Sequence, residues 1–183
     1  MKRHTIIFAI TLAVLVCSAP RANAQWSQMN GPFGGTIFCI TAAANGNSGT
    51  NLFAGTKVSG IFRSGNNGAS WTACNTGLTN YQDFTVRAIA VSGSNLFAGL
   101  YGGGVFRSNN NGATWTAVNN GLTDLGVFTI VAYGSTIVVG TYGGGTFFSA
   151  NNGASWTEMN IGLGSLNIQT LAVCGSDLCR HNE

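Results

Sequence analysis

The sequence predicts an all-β fold built from repeated sheets of four short antiparallel strands, and three observations carry that expectation. Trp26, Trp71, Trp115 and Trp156 recur at spacings of 45, 44 and 41 residues. The phrase SGNNGASW at 64–71 returns as SNNNGATW at 108–115 and as SANNGASW at 149–156. The chain holds 27 glycines and two prolines, and beyond its first residues no apolar period of 3.6 supports a helix.

Each Trp opens a matched phrase: WSQMNGPF, WTACNTGL, WTAVNNGL and WTEMNIGL. Between them lie NLFAGTKVSGIFRS, NLFAGLYGGGVFRS and TIVVGTYGGGTFFS, preceded by TIFCITAA, TVRAIAVS and VFTIVAYG, with IQTLAVCG following the last. Runs rich in Val, Ile, Phe, Thr and Trp between Gly, Asn and Ser clusters read as strands. In the middle unit these are Thr85 to Val91, Asn95 to Leu100, Gly104 to Ser108 and Thr114 to Val118, with SGSN, YGGG and NNNGA as turns. Four strands per roughly 40–45 residues is the period of a β-propeller blade, whereas β-helix coils and leucine-rich repeats need shorter units. About three complete blades are expected, at 36–74, 85–118 and 127–159, with partial strands at 26–30 and 167–173.

The first 24 residues have a different character. Lys2 and Arg3 precede an apolar run from Thr5 to Val16, and Ala22-Asn23-Ala24 stands before Gln25. This order is that of a secretory signal peptide cleaved after Ala24, with an apolar core shorter than the roughly 20 residues a membrane span requires. Cys17 follows Val16 rather than a small residue, which argues against a lipid-anchored precursor. The expected product, residues 25–183, is secreted, periplasmic or displayed at the cell surface.

Removal of the leader also removes the excess charge. Lys57, Arg63, Arg87, Arg107 and Arg180 then face Asp83, Asp124, Glu158, Asp177 and Glu183. A neutral chain with so few cations lacks the electrostatic footprint of a nucleic-acid or anionic-membrane protein. Cys39, Cys74, Cys174 and Cys179 do not recur at the repeat period and contain no CxxC pair. Cys39 and Cys74 are expected as small buried hydrophobes, although export permits disulfides.

The thrice-written phrase resembles the Asp-box, or BNR repeat, of sialidase-like and photosystem II assembly factor-like propellers, whose pattern is S-x-D-x-G-x-T-W. Ser64, Gly68 and Trp71 match, as do Ser108, Gly112 and Trp115, and Ser149, Gly153 and Trp156. Asn66, Asn110 and Asn151 stand at the Asp position, where a short amide still bonds nearby backbone. The resemblance implies that each phrase closes the hairpin between third and fourth strands while its Trp plugs the gap between blades. It also implies an N-terminal part of a larger propeller, because isolated rings close with about four to eight blades. The tail GSDLCRHNE stands where earlier repeats have GSNLFAGL. Loss of two bases in the Phe codon would convert one reading into the other, so a frame change or truncation is expected. If the chain ends as written, an open sheet edge is expected to drive self-association.

Chemistry is sparse. The mature chain's single His, His181, lies in that tail, which leaves no Ser-His-Asp or Cys-His arrangement and no His-based metal site. The sialidase resemblance implies an arginine cluster, an Arg-Ile-Pro motif and a Tyr-Glu nucleophile pair. No Arg-Ile-Pro occurs, and Arg63 and Arg107 occupy one repeated strand position where the third blade has Phe148. Gly102-Gly103-Gly104 and Gly143-Gly144-Gly145 open no helix and lack the Lys-Ser/Thr ending of a phosphate loop, so they read as tight turns. Asp83 and Asp124 lack the spacing of a calcium loop and read as solvated turn residues. No cofactor or metal is expected.

A surface remains. In propellers the loops between second and third strands, and those between blades, open on one face around the central channel. That face is expected to carry Tyr101 and Tyr142 at equivalent positions, Lys57 as their first-blade counterpart, and Tyr81, with Arg87 on a channel-lining strand. Aromatics on Gly-flanked turns suit a carbohydrate or a protein segment; covering the neighbouring blade is their alternative use. The expected function is a non-catalytic binding or scaffolding module. The alternative is the N-terminal part of an Asp-box glycoside hydrolase whose catalytic groups lie elsewhere.

Overall fold

The computed structural model describes residues 31–32, 35–46, 48–79, 84–174 and 177–182, giving for Cys174 and 177–182 the backbone alone. The expected leader, the strand at 26–30 and Tyr81 therefore lie outside the described residues. Three antiparallel four-stranded sheets follow one another in simple up-and-down order. Blade one comprises β1 (Ile37–Ala44), β2 (Thr50–Thr56), β3 (Ile61–Ser64) and β4 (Thr72–Ala73). Blade two comprises β5 (Val86–Ser92), β6 (Asn95–Leu100), β7 (Gly104–Ser108) and β8 (Thr116–Ala117). Blade three comprises β9 (Val127–Tyr133), β10 (Thr136–Thr141), β11 (Thr146–Ser149) and β12 (Thr157–Glu158). The chain then makes a hairpin of β13 (Ile168–Cys174) and β14 (Asp177–Asn182), so the expected single final strand has a partner.

The core lies between the sheets, in layers. Alternate residues of a strand face opposite sides, and here both sides are apolar. In β6, Leu96, Ala98 and Leu100 belong to the layer shared with blade one, whereas Phe97 belongs to the layer shared with blade three. β10 repeats this, with Ile137 and Val139 on one side and Val138 on the other. Burial on both faces is why the second strands read NLFAGL and TIVVGT, unbroken by charge. The first strand of each blade packs against that of the next, β1 on β5, β5 on β9 and β9 on β13. Gly99, on the second strand β6, lets β9 of the following blade come close to β6 as well. A Cβ placed on it would stand 2.5 Å from Cγ1 of Val127 on the following blade.

The repeated hairpin between third and fourth strands is held by one set of bonds in all three copies. In blade two the amide of Gly112 donates to Ser108 Oγ at 2.9 Å, and the amide of Thr114 donates to Asn110 Oδ1 at 2.9 Å. Asn110 Nδ2 donates to the Thr114 hydroxyl at 2.7 Å. Ser64 with Asn66, and Ser149 with Asn151, make the same pattern around Gly68 and Gly153. The turn also places Asn67, Asn111 and Asn152 in the left-handed region, at φ of 56°, 59° and 56°, a conformation that asparagine tolerates better than most side chains.

Two of the Trp residues lock neighbouring blades. Trp115 is buried, and its indole donates to the carbonyl of Cys74 at 2.9 Å. Trp156 donates to the carbonyl of Val118 at 2.6 Å. Trp71 is only partly buried, and the matching phrase that would precede it by one repeat, at 26–30, falls outside the described residues. The outer strand β8 is shorter than expected because the Trp115 amide turns away to the Thr76 carbonyl of blade one, at 2.9 Å, ending the ladder with β7. Arg63 and Arg107 reach across as well, donating to the carbonyls of Asn111 and Asn152 at 3.2 and 2.9 Å. These two arginines are thereby committed to inter-blade contacts.

Cys39 and Cys74 are free thiols and partly rather than fully buried. They pack against the layer between blades one and two.

Candidate functional site

At the end of the first strands where the second-to-third-strand turns emerge, side chains from three blades meet. Phe38, Arg87 and Phe128 are the second residues of β1, β5 and β9, following the exposed Ile37 and the buried Val86 and Val127. The Arg87 guanidinium carbon lies 4.6 Å from the ring centroid of Phe38 and 4.4 Å from that of Phe128. A planar cation placed against aromatic faces is held by the ring quadrupoles as well as by packing.

The turns supply the second tier. Lys57, Tyr101 and Tyr142 are placed alike, because the amide of each donates to the carbonyl just before its blade's first strand: Thr36, Thr85 and Gly126, at 2.9, 3.0 and 2.9 Å. Tyr101 and Phe128 have centroids 5.7 Å apart, Phe128 and Tyr142 5.5 Å, and Tyr101 and Tyr142 6.4 Å at a steep 79°. The two tyrosines remain 46% and 54% exposed, so this triangle is open to solvent rather than part of the core. A cavity of about 270 Å³ opens beside it, lined by Phe38, Lys57, Thr85, Arg87, Tyr101 and Phe128.

The sequence named Tyr101, Tyr142, Lys57 and Arg87, and the structure brings these four together. Phe38 and Phe128 were missed. Their signal was present, since both occupy the repeat position of Arg87, and only the register of the aligned first strands reveals that the three share one face.

Asp124 is a correction. It is not a solvated turn residue: its Oδ1 accepts the Gly126 amide at 2.8 Å, and its Oδ2 accepts those of Gly143 and Gly144 at 2.6 and 2.9 Å. The glycine turn thus cradles an anion after all, one supplied by the chain itself, and the result is a fixed Tyr142. Glu158 sits on β12 and accepts from Asn160 Nδ2 at 2.6 Å. Neither carboxylate lines the cavity beside the aromatic triangle.

Two further cavities, of about 370 and 430 Å³, lie between blades one and two near the repeated hairpins. They are lined largely by asparagines, including Asn45, Asn66 and Asn111. Among the described residues no cluster of three His, Cys, Asp or Glu side chains could hold a metal, and no helix is long and apolar enough to cross a membrane.

The family model described as the DUF6242 beta propeller domain matches residues 20–169. The chain belongs to that family. Among curated proteins, none matches the chain. Among solved structures this DUF6242 propeller is similar to YCF48 bound to D1 peptide, with 19% identity and a TM-score of 0.57, covering 86% of this chain and 52% of that one. It is similar to the extracellular domain of BT4673 from B. thetaiotaomicron, at 20% identity and TM-score 0.56, over 79% of this chain and 20% of the other. It also resembles the GH74 xyloglucanase from Xanthomonas campestris, at 18% identity and TM-score 0.55, over 74% of this chain and 25% of the enzyme. At these identities the likeness is one of fold, and the chain spans between about a fifth and a half of each neighbour's length. In the DUF6242 propeller, as in any propeller, the first strands line the central axis, so the Phe38–Arg87–Phe128 row belongs to the axial side.

Proposed function

We propose that this chain is an exported, non-catalytic propeller segment that acts as a binding or scaffolding module, with its ligand site at the axial cluster of Tyr101, Tyr142, Phe128 and Arg87. The observation that carries this reading is the open aromatic triangle. Three rings within 6.4 Å of one another, two of them about half exposed, are a poor use of apolar area unless something stacks on them. Lys57 lies on the rim of the same cavity. Tyr81, expected on this face, stays a candidate from its sequence position. A peptide or protein segment is favoured by the fold's likeness to YCF48 bound to D1 peptide, and a carbohydrate by its likeness to a xyloglucanase.

We read the three repeated hairpins as Asp-boxes in a structural role, with Asn in place of Asp. Their Ser, Asn and Gly are consumed by bonds within the turn, which supports holding blades together over holding a ligand. Export rests on the order of charge, apolar run and Ala-x-Ala at the start. The mass of the protein recovered from outside the expressing cell tests it, and a product retaining residues 1–24 would refute cleavage after Ala24.

The binding reading is tested by titrating the isotope-labelled chain with short oligosaccharides and peptides and following backbone amide shifts. Shifts gathered at Arg87, Tyr101, Phe128 and Tyr142, and lost in Tyr101→Ala with Tyr142→Ala, are expected. Shifts confined to the hairpin face would refute the site. The second reading, part of an Asp-box glycoside hydrolase, is favoured by the xyloglucanase likeness. It requires hydrolysis of a glycan by a longer protein whose additional blades supply paired carboxylates.

A further inference from the structure

We propose that the slot formed by Phe38, Arg87 and Phe128, with Lys57 beside it, receives the carboxylate of a small ligand that also carries a flat apolar face. The inference rests on the binding-module reading and adds the chemical class of what is bound.

A guanidinium has five N–H donors in one plane. Those of Arg87 meet no acceptor among the described residues, and its guanidinium lies against the two rings. The rings come from the blades on either side, so the guanidinium is held in orientation while its hydrogen-bonding edge stays unused. An edge of that kind matches a carboxylate, which accepts two parallel N–H bonds in the same plane.

Charge gives the same answer. Lys57 and Arg87 line one cavity, and among the described residues no Asp or Glu lines it with them. Asp124, the carboxylate of the neighbouring turn, accepts three backbone amides and is not among the residues lining that cavity. Two like charges at one partly enclosed site are relieved by a bound anion. The same clamp bears on which anion. Many phosphate sites draw on runs of backbone amides, and here the Gly143 and Gly144 amides are taken. The planar edge of Arg87 remains, from which a carboxylate accepts two parallel N–H bonds.

Size and shape set the rest of the ligand. A cavity of about 270 Å³ admits one sugar ring or one amino acid. Tyr101 and Tyr142 stand at its edge, half exposed, as stacking surfaces for a flat face. The chemistry required is therefore a carboxylate on a ring-sized body, whether from a sugar acid or from the C-terminal residue of a peptide.

The test uses the full chain, isotope-labelled, at low salt, titrated separately with D-glucuronate, neutral D-glucose, hippurate and inorganic phosphate. Glucuronate, hippurate or both are expected to shift amides around Arg87 and Phe128, with glucose at least roughly ten-fold weaker. Arg87→Met, which keeps an apolar stem between the rings, is expected to weaken the anion by about ten-fold or more with an otherwise unchanged spectrum. Lys57→Gln is expected to weaken it less. A response to glucuronate alone assigns a sugar acid, and one to hippurate alone a peptide terminus. Glucose binding as tightly as glucuronate, phosphate displacing both acids, or an unaffected Arg87→Met would overturn the carboxylate while leaving the binding site in place. No shift at the cluster with any probe overturns both.

Discussion

The indole of Trp115 donates to the carbonyl of Cys74 across 2.9 Å, so the hairpin of blade two is bonded to the end of the fourth strand of blade one. The Trp115 amide makes a second bond to Thr76, and the ring fills the layer between the sheets. Trp115→Ala should cost on the order of 3–5 kcal/mol. Trp115→Phe keeps much of the packing but strands the Cys74 carbonyl, at roughly 1–3 kcal/mol. Chemical denaturation measures both, and a Trp115→Ala midpoint equal to the wild type's would contradict the locking role.

Asp124 fixes the turn that bears Tyr142. Replacing it by Ala removes the acceptor of three amides, with an expected loss of about 1–3 kcal/mol at this turn. Hydrogen exchange should accelerate at Gly143 and Gly144 while the β9–β10 ladder stays protected. Unchanged exchange at both glycines would show that the turn holds its shape without the carboxylate.

Gly99 is a packing requirement rather than a turn requirement. Its absent Cβ makes room for Val127 of the following blade, 2.5 Å from where that carbon would sit. Gly99→Ala should destabilise by about 1–3 kcal/mol through overpacking. Val127→Ala should relieve part of that cost, so the double variant is expected to lose less than the sum of the singles. Strict additivity in melting would sink the explanation.

Burial raises the thiols of Cys39 and Cys74 from the ordinary 9.0 to about 11. The folded state therefore keeps its thiol protons at a pH where the unfolded chain has released them. Stability contributed this way is present in full below pH 9 and is lost as pH rises through about 11. Urea unfolding between these limits should show stability falling with pH, less steeply in Cys39→Ala with Cys74→Ala. At pH 8 both thiols should also alkylate more slowly in the folded than in the urea-unfolded chain.

Much of the fold was legible because a blade is a local object. Each first, second and third strand of blade two could be bounded within a residue from alternation and turn residues, since those strands pair with sequence neighbours. The fourth strand was overestimated because the amide of Trp115, inside the expected span, bonds to another blade, which local pattern does not record. β14 was missed as a strand because DLCRHN lacks the apolar run of NLFAGL. An antiparallel ladder with β13 is made by the backbone and forms regardless. At the candidate site, Tyr101, Tyr142, Lys57 and Arg87 announced themselves as repeat positions with unusual residues. Phe38 and Phe128 did not, since a Phe in a strand is ordinarily core.

By itself the sequence determined the four-stranded unit, its number of copies and the residues closing each hairpin. Those depend on backbone propensity and on bonds spanning a few residues, and the chain writes them out three times. The tertiary structure alone decided that Arg87 lies between Phe38 and Phe128, and that Asp124 fills the glycine turn. Both relationships join groups that one sheet cannot bring together: the first requires three blades to share an axial side, and the second requires a turn to fold back on the strand that precedes it.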